Sequence, residues 1–346
     1  MKSDIMNIME RNGHMKEGIT GNKGFTIVEL LTVMSVIAVL IGLLVPALNL
    51  VKDFSKQVQQ QAQFHSIDAA LEMFSADFGY YPESNDNAYA ANPHPDDSTP
   101  YCGSNKLAEA LVGKDYLGFH PNSDFRADGL NYVINNLGVR IGPVEIYHAD
   151  TDITDWESAS ENIKARKGPY IEFENANAFT MGEIYSDLDS GTGTFDADSL
   201  ALCDVFAKKR TNAVTTTSTT KKTGMPILYY RARTQFTRQN SITLTELDLP
   251  ASTPTYADDI YFYPDNDSIT ALGTPEDPTI YHPLNAGGNG YTDVANLTLF
   301  DNMILNKQVT AIRRPYRAGS YILMSAGQDG LYGTSDDVFN FTREAQ

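Results

Sequence analysis

Two stretches of this 346-residue chain carry side chains whose types and spacing could do chemistry. The first is Ser325-Ala326-Gly327-Gln328-Asp329-Gly330-Leu331-Tyr332-Gly333-Thr334-Ser335-Asp336-Asp337. Its glycines permit tight or left-handed turns that aim backbone carbonyls inward. Asp329, Asp336 and Asp337 add carboxylate oxygens. An all-oxygen set of this kind suits a hard cation with about six to eight ligands, Ca2+ above all. The plain alternative is an acidic, glycine-rich hairpin that holds no ion. The second is Glu29, the single ionisable side chain between Phe25 and Val51. A carboxylate in an apolar helix is costly unless it meets a cation. A free amino group on a neighbouring copy would serve, and scission after Gly24 would create one on Phe25.

Other constellations say less. Asp187-Leu188-Asp189-Ser190-Gly191, continuing through Asp196 and Asp198, places Asp at positions 1, 3 and 12 of an EF-hand loop. Thr192, however, stands where that loop needs Gly, and its last position should be Glu, so a solvated acidic loop is the reading. Asp265-Asn266-Asp267 reads the same way. The histidines (His14, His65, His94, His120, His148, His282) are scattered, with no His-x-x-x-His pair. There is no Gly-x-Ser-x-Gly elbow and no phosphate-cradling Gly-Lys-Ser/Thr loop. Nothing in the sequence points to an enzyme.

The elements that must position these groups follow from hydropathy. Phe25 to Val51 is apolar for longer than the ~20 residues a helix needs to cross a bilayer. A secretory signal is a poorer description, since its apolar region is about 7–15 residues and ends at a small-x-small site. Beyond Val51 the pattern turns amphipathic. Phe54, Val58, Ala62, Ile67, Leu71, Phe74 and Phe78 fall mostly at three- and four-residue steps, with Lys52, Asp53, Lys56, Gln57, Gln59 and Gln60 on the other face. Gly79 offers a cap and Pro82 a stop, which predicts one helix over 25–78 with Pro46 as a kink inside it. The segments are then a leader 1–24, a helix 25–78 (membrane-spanning 25–51, amphipathic 52–78) and a body 79–346.

Within the body, the stretch to Asn105 reads as a long Asn/Asp/Pro/Ser loop and Lys106–Val112 as a short helix. Strands are predicted at Tyr132–Ile134, Tyr170–Phe173, Ile227–Arg231, Ile260–Tyr263, Tyr321–Ser325 and Val338–Phe341. Val214–Thr223 reads as a polar low-complexity loop. The fold class expected is α+β: a long N-terminal helix packed on an antiparallel sheet, with large loop insertions.

Composition bounds the rest. At 42% hydrophobic and 20% charged, with 19 Tyr and 16 Phe, the chain can build a core. Its net charge is −18; the leader's four basic and three acidic residues leave −19 on the remainder, which argues against nucleic-acid binding. The leader's Lys2, Arg11, Lys16 and Lys23 orient the N-terminus to the cytoplasm. Cys102 and Cys203 could pair in an oxidising compartment or stay as two buried thiols.

Lys23-Gly24-Phe25-Thr26-x-x-Glu29, the apolar run and the downstream helix together resemble the signal of type IV pilins and type II secretion pseudopilins. The likeness is close from Lys23 to about Pro82 and fragmentary beyond. It implies cleavage after Gly24 by a prepilin peptidase, methylation of Phe25, and a role for Glu29 in subunit docking. Asp77, Gly79, Tyr81 and Pro82 look like the helix-to-loop junction of major pseudopilins, and Pro46 like a place where the helix melts in an assembled filament. The run Gly-x-Asp-Gly-x-x-Gly-Thr-x-Asp-Asp over 327–337 is similar to their C-terminal calcium loop. This implies Asp329, Asp336 and Asp337 as side-chain ligands and Leu331 as a carbonyl donor.

The function implied is that of a structural subunit of a type II secretion pseudopilus. The chain would sit singly spanning the inner membrane before assembly and in a periplasmic or extracellular filament afterwards. Its partners would be the peptidase, copies of itself, other pseudopilins and the inner-membrane assembly platform. The body is longer than that of a usual major pseudopilin. The alternatives are a type IV pilin for adhesion or DNA uptake and, in another class, a membrane-anchored extracellular enzyme or receptor.

Overall fold

The computed structural model describes residues 24–87, 99–135, 137–148, 156–172, 176–185, 195–206, 209–212, 220–239, 259–275, 277 and 279–343. Residues 1–23 of the leader and the run Asp187–Gly191 lie outside the described residues. The chain divides at Lys52/Asp53 into two units.

The first unit is the beginning of helix α1 (Ile27–Phe78), which is continuous through Pro46. All of its described residues are exposed, so an apolar surface runs round the full circumference. This helix is long and apolar enough to cross a membrane. Its C-terminal end is where Gly79 makes it stop: φ is +80° there, and its N–H returns to the Ser75 carbonyl at 2.8 Å. A side chain would strain that left-handed cap.

The second unit begins with the rest of α1, which buries Gln60, Phe64, Ile67, Ala70, Leu71 and Phe74. Of the stripe expected from the sequence, Ile67, Leu71 and Phe74 are buried and Phe78 is half-buried, whereas Phe54, Val58 and Ala62 are exposed. Gln60, expected on the outer face, is buried, because it is the first residue of the helix that the body buries. Gln60 Oε1 accepts from the Val205 N–H at 2.9 Å, while its buried Nε2 has no hydrogen-bond partner. Gln63 donates to the Cys203 carbonyl (2.8 Å) and Lys56 to that of Val205 (3.0 Å), stitching the flank of the helix to one loop.

The central sheet is three-stranded and antiparallel, with strands β7 (Leu228–Arg231), β8 (Tyr321–Ser325) and β9 (Val338–Phe339). Leu228 pairs with Met324 and Arg231 with Tyr321; Met324 pairs with Phe339. Its side chains separate by the two-residue alternation of a strand. Tyr229, Tyr321 and Leu323 pack with Phe64, Leu71 and Phe74 of α1 and with helix α2 (Gly103–Val112). Leu228, Tyr230, Ile322 and Met324 belong to a second core with Phe300 and Ile304 of the helix Val294–Ile304. Both faces are covered, so β8 reads as a continuous buried run.

Three two-stranded ribbons complete the strands: β1 (Leu130–Ile134) with β2 (Arg140–Glu145), β3 (Ala178–Thr180) with β4 (Leu200–Leu202), and β5 (Lys209–Asn212) with β6 (Thr220–Thr223). The described residues thus form an α+β body in which the single sheet expected is divided into small antiparallel pieces.

The structure corrects three segments. Tyr170–Phe173 is no strand in its described part; the N–H groups of Tyr170 and Ile171 turn to the Leu111 carbonyl, capping the end of α2. Ile260–Tyr263 is no strand either. Gln239 bonds the N–H and carbonyl of Tyr261 (3.0 and 2.9 Å), substituting for a neighbouring strand, and Tyr263 opens a 3-10 turn. Thr220–Thr223, read as loop, pairs with Lys209–Asn212 because β-branched residues suit an extended ribbon. The helix expected at Lys106–Val112 starts earlier, at Gly103, where a side chain would run into the Tyr229 carbonyl.

Candidate functional site

At the start of α1, Glu29 has a local partner that spacing could have revealed. Its Oε2 accepts from the Thr26 N–H (2.9 Å) and the Thr26 hydroxyl (2.8 Å), and the Glu29 N–H donates to Thr26 Oγ1 (3.2 Å). This is the reciprocal Thr-x-x-Glu capping box. It satisfies backbone N–H groups that begin the helix without intrahelical partners. Both bonds to the carboxylate fall on one oxygen. Gly24 and Phe25 lie just outside the helix, and Phe25 is exposed.

The acidic loop links β8 to β9. Gly327, Gly330 and Gly333 all have positive φ, at +65°, +73° and +100°. A Cβ on Gly327 would collide with the Asp336 carbonyl oxygen, so the turn itself requires glycine there. Tyr332 pins the loop to the core: its ring is buried, its hydroxyl donates to the Pro226 carbonyl, and its carbonyl accepts from the Leu284 N–H at 3.0 Å. The Tyr332 N–H donates to His282 Nδ1 (3.3 Å), while His282 Nε2 meets the Gly273 carbonyl (3.0 Å). Burial pushes the His282 imidazole down to about 4.

The structure brings two of the three aspartates together. Asp336 Oδ2 accepts from the Asp329 N–H at 2.9 Å, and its other oxygen accepts from the Thr334 hydroxyl. Burial and the adjoining Asp336 carboxylate push Asp329 up, although its hydrogen bonds from Leu331 and Thr334 oppose this. Burial also disfavours a charged Asp336, but the bonds from Thr334 and Asp329 outweigh it and hold that carboxyl down. The two neighbouring carboxyls are thus pushed in opposite directions, Asp329 up and Asp336 down.

Asp337 is placed differently. Its Oδ2 accepts from the N–H groups of Gly333 (2.8 Å) and Thr334 (2.9 Å), holding the turn closed. Its buried Oδ1 has no hydrogen-bond partner, and burial pushes this carboxyl up to about 8. The loop offers only oxygen donors: the Asp329–Asp336 pair, the Leu331 carbonyl and the unpartnered Asp337 Oδ1. That chemistry suits a hard cation. Among the described residues no three His, Cys, Asp or Glu side chains converge as a ready-made metal cage.

One cluster escaped the sequence reading because its members are far apart in the chain. His120 Nε2 lies 3.2 Å from Glu157 Oε2, and His148 Nε2 lies 3.9 Å from the same oxygen. Trp156 stands edge-on to both imidazoles. His120 Nδ1 accepts from the Asn122 N–H (3.1 Å), which puts its proton on Nε2, facing Glu157. Burial lowers the His120 pKa. Cys102 and Cys203 are both buried and free, so of the two readings of the cysteines the structure has the unpaired thiols.

Compared with models of known protein families, with curated proteins and with solved structures, the chain matches none. Its class therefore rests on its own architecture. It is an α+β protein whose first long helix meets the length and apolarity of a membrane span.

Proposed function

We propose that the chain is a pilin-like filament subunit, most specifically a structural subunit of a type II secretion pseudopilus. One observation supports this above the others: a single helix is an uncovered apolar cylinder over its first half and a packed wall of the body over its second. Its only early charge, Glu29, lies four residues after Phe25. An apolar cylinder of this kind suits a bilayer first and the equivalent helices of other copies afterwards. Cleavage after Gly24 would supply the amine that Glu29 can pair with in a neighbour. The peptidase, the assembly platform and other pseudopilins are partners on this reading, and the filament is periplasmic or extracellular.

In the loop, Asp329 and Asp336 would hold Ca2+ with the Leu331 carbonyl, and Asp337 would add Oδ1 while its other oxygen keeps the turn closed. The cation would offset the mutual repulsion of the two neighbouring carboxyls and leave the loop locked between β8 and β9.

A second reading has an observation in its favour. The Thr26–Glu29 capping box gives Glu29 a reason to exist in an ordinary anchored enzyme or receptor. Mass spectrometry of the N-terminus separates the two. A chain beginning at N-methylated Phe25 is the expected result, and Gly24→Val is expected to retain the 24-residue leader. A leaderless Gly24→Val variant, or an unprocessed wild type in cells bearing the peptidase, would count for the anchor.

A further inference from the structure

We infer that the β1–β2 hairpin docks on a second copy of this chain. Leu137 of one copy fills an apolar pocket on the body of the next, and Arg140 beside it meets Asp277 on the pocket's rim. The hairpin stands apart in composition: Arg140 is the one charged residue between Leu130 and Val144, whereas the whole chain carries −18. Its tip turns large aliphatic side chains to solvent, with Ile134 72%, Leu137 85% and Val139 55% exposed. The turn that presents them is held in shape. Asn135 Oδ1 accepts from the N–H groups of Leu137 (3.0 Å) and Val139 (2.9 Å), and the Asn135 N–H donates to the Val139 carbonyl (2.9 Å). A tip fixed before contact loses little conformational freedom on docking. The Arg140 guanidinium stacks on the Tyr132 ring at 4.7 Å, and among the described residues no carboxylate pairs with it.

The pocket has the complementary character. Phe206, Met225, Pro275, Ile280 and Leu331 line an open cavity of about 140 Å³. A void of about 150 Å³ with such walls takes a guest the size of benzene, so this one has room for a single leucine side chain. Ile280, on its wall, is 44% exposed. Asp277 lies on the rim between Pro275 and Ile280, its N–H on the Thr274 carbonyl (3.1 Å) and its carbonyl on the Ile280 N–H (3.1 Å). The bonds to its carboxylate, from the Thr279 N–H (2.9 Å) and hydroxyl (2.6 Å), fall on Oδ1, which leaves Oδ2 for a guanidinium.

With Leu137 so exposed, the tip does not fill the pocket of its own copy. An aliphatic anchor of the pocket's volume, with opposite charges set beside both, singles out a second copy as the occupant. Finger and pocket are different surfaces, so the contact is heterologous and runs from copy to copy. It rests on the filament reading for the neighbour it needs, and it gives the body a share in assembly alongside α1.

Disulfide capture tests it in the full-length chain, in membranes of the producing cells. Leu137→Cys and Ile280→Cys are combined in one chain, with the buried Cys102 and Cys203 left in place, and oxidised briefly with copper phenanthroline. Both cysteines replace exposed side chains, so the fold is kept. The double variant is expected to give a ladder of covalent dimers, trimers and longer species on non-reducing gels. The two single variants made together are expected to stop at the dimer, and each alone to stay monomeric. Arg140→Glu is expected to cut the yield about tenfold, and Asp277→Arg to restore it. An absent ladder would overturn the contact, as would a link within one chain, dimers from Leu137→Cys alone, or a yield that Arg140→Glu leaves unchanged. The N-terminal mass reports the filament reading separately. Methylated Phe25 without a ladder removes this contact and leaves the filament; a ladder from unprocessed chains keeps the contact and removes the filament.

Discussion

The two halves of α1 are one helix in backbone and two different surfaces in chemistry. From Ile27 to Lys52 every residue is exposed, although nearly all are apolar. From Asp53 to Phe78 the apolar residues are fewer, and most of those on the inner face are buried. Apolar character therefore does not decide burial here; periodicity does. A stripe at three- and four-residue steps can be covered from one side by a body, whereas an all-round apolar surface must be covered by a bilayer or by several other helices.

Breaking the packed half should have the largest effect. Leu71→Ala deletes a fully buried side chain between α1 and the sheet and is expected to cost about 2–5 kcal/mol of unfolding free energy. Leu43→Ala, in the uncovered half, is expected to stay within about 0.5 kcal/mol in the same detergent-solubilised chain. Denaturant titration of the two variants checks this, and equal losses would show that the first half is covered within the chain itself.

The acidic loop comes next. At a hundredfold excess over Kd, Ca2+ is expected to stabilise the body by ~2.7 kcal/mol, with Asp336→Ala removing most of that gain. With chelator present the loop should also reveal Asp337. Its folded pKa of about 8 stands above the ordinary carboxylate value, so the folded state binds the extra proton. That contribution is fully present below the ordinary value and is lost as pH rises toward and through about 8. Asp265 and Asp301, both raised to about 7 by burial, slope in the same direction. Melting temperature in chelator should therefore fall from pH 5 to pH 8. Asp337→Asn should flatten the upper part of that fall and leave the part due to the other two. A wild type that melts higher at pH 8 would contradict this sign.

The smallest effect on stability, and the sharpest on assembly, is expected at Glu29. Glu29→Gln keeps a side chain able to close the capping box but removes the charge; Glu29→Leu removes both. If pairing with a neighbour's amine is the purpose, both variants express normally and both assemble poorly. If capping is the purpose, Glu29→Gln behaves as wild type in filament yield and in helix content by circular dichroism.

Read alone, the sequence determined the elements whose cause is local. The bounds of α1 follow from the apolar run, the stripe beyond it and the left-handed Gly79; the structure has the helix at Ile27–Phe78. Tyr321–Ser325 is a strand because five consecutive residues suit a sheet buried on both faces. The glycines and aspartates of 327–337 announced a tight, acidic turn, whereas the Thr26–Glu29 cap was local in cause but went unread, although the Thr-x-x-Glu spacing carries it. Tertiary structure alone decided the rest, because the deciding groups are distant in the chain. Ile260–Phe262 has strand-like residues, but Gln239 takes the hydrogen bonds a neighbouring strand would have made. Asp336 and Asp337 are adjacent in sequence, yet one accepts from the Asp329 N–H and the other from the N–H groups of Gly333 and Thr334, because Asp336 lies in the turn and Asp337 at its exit into β9. Lys106 reads as an ordinary polar residue of an amphipathic helix. Only tertiary packing, with Asn85 accepting from its amine and Phe125 beside it, removes it from water.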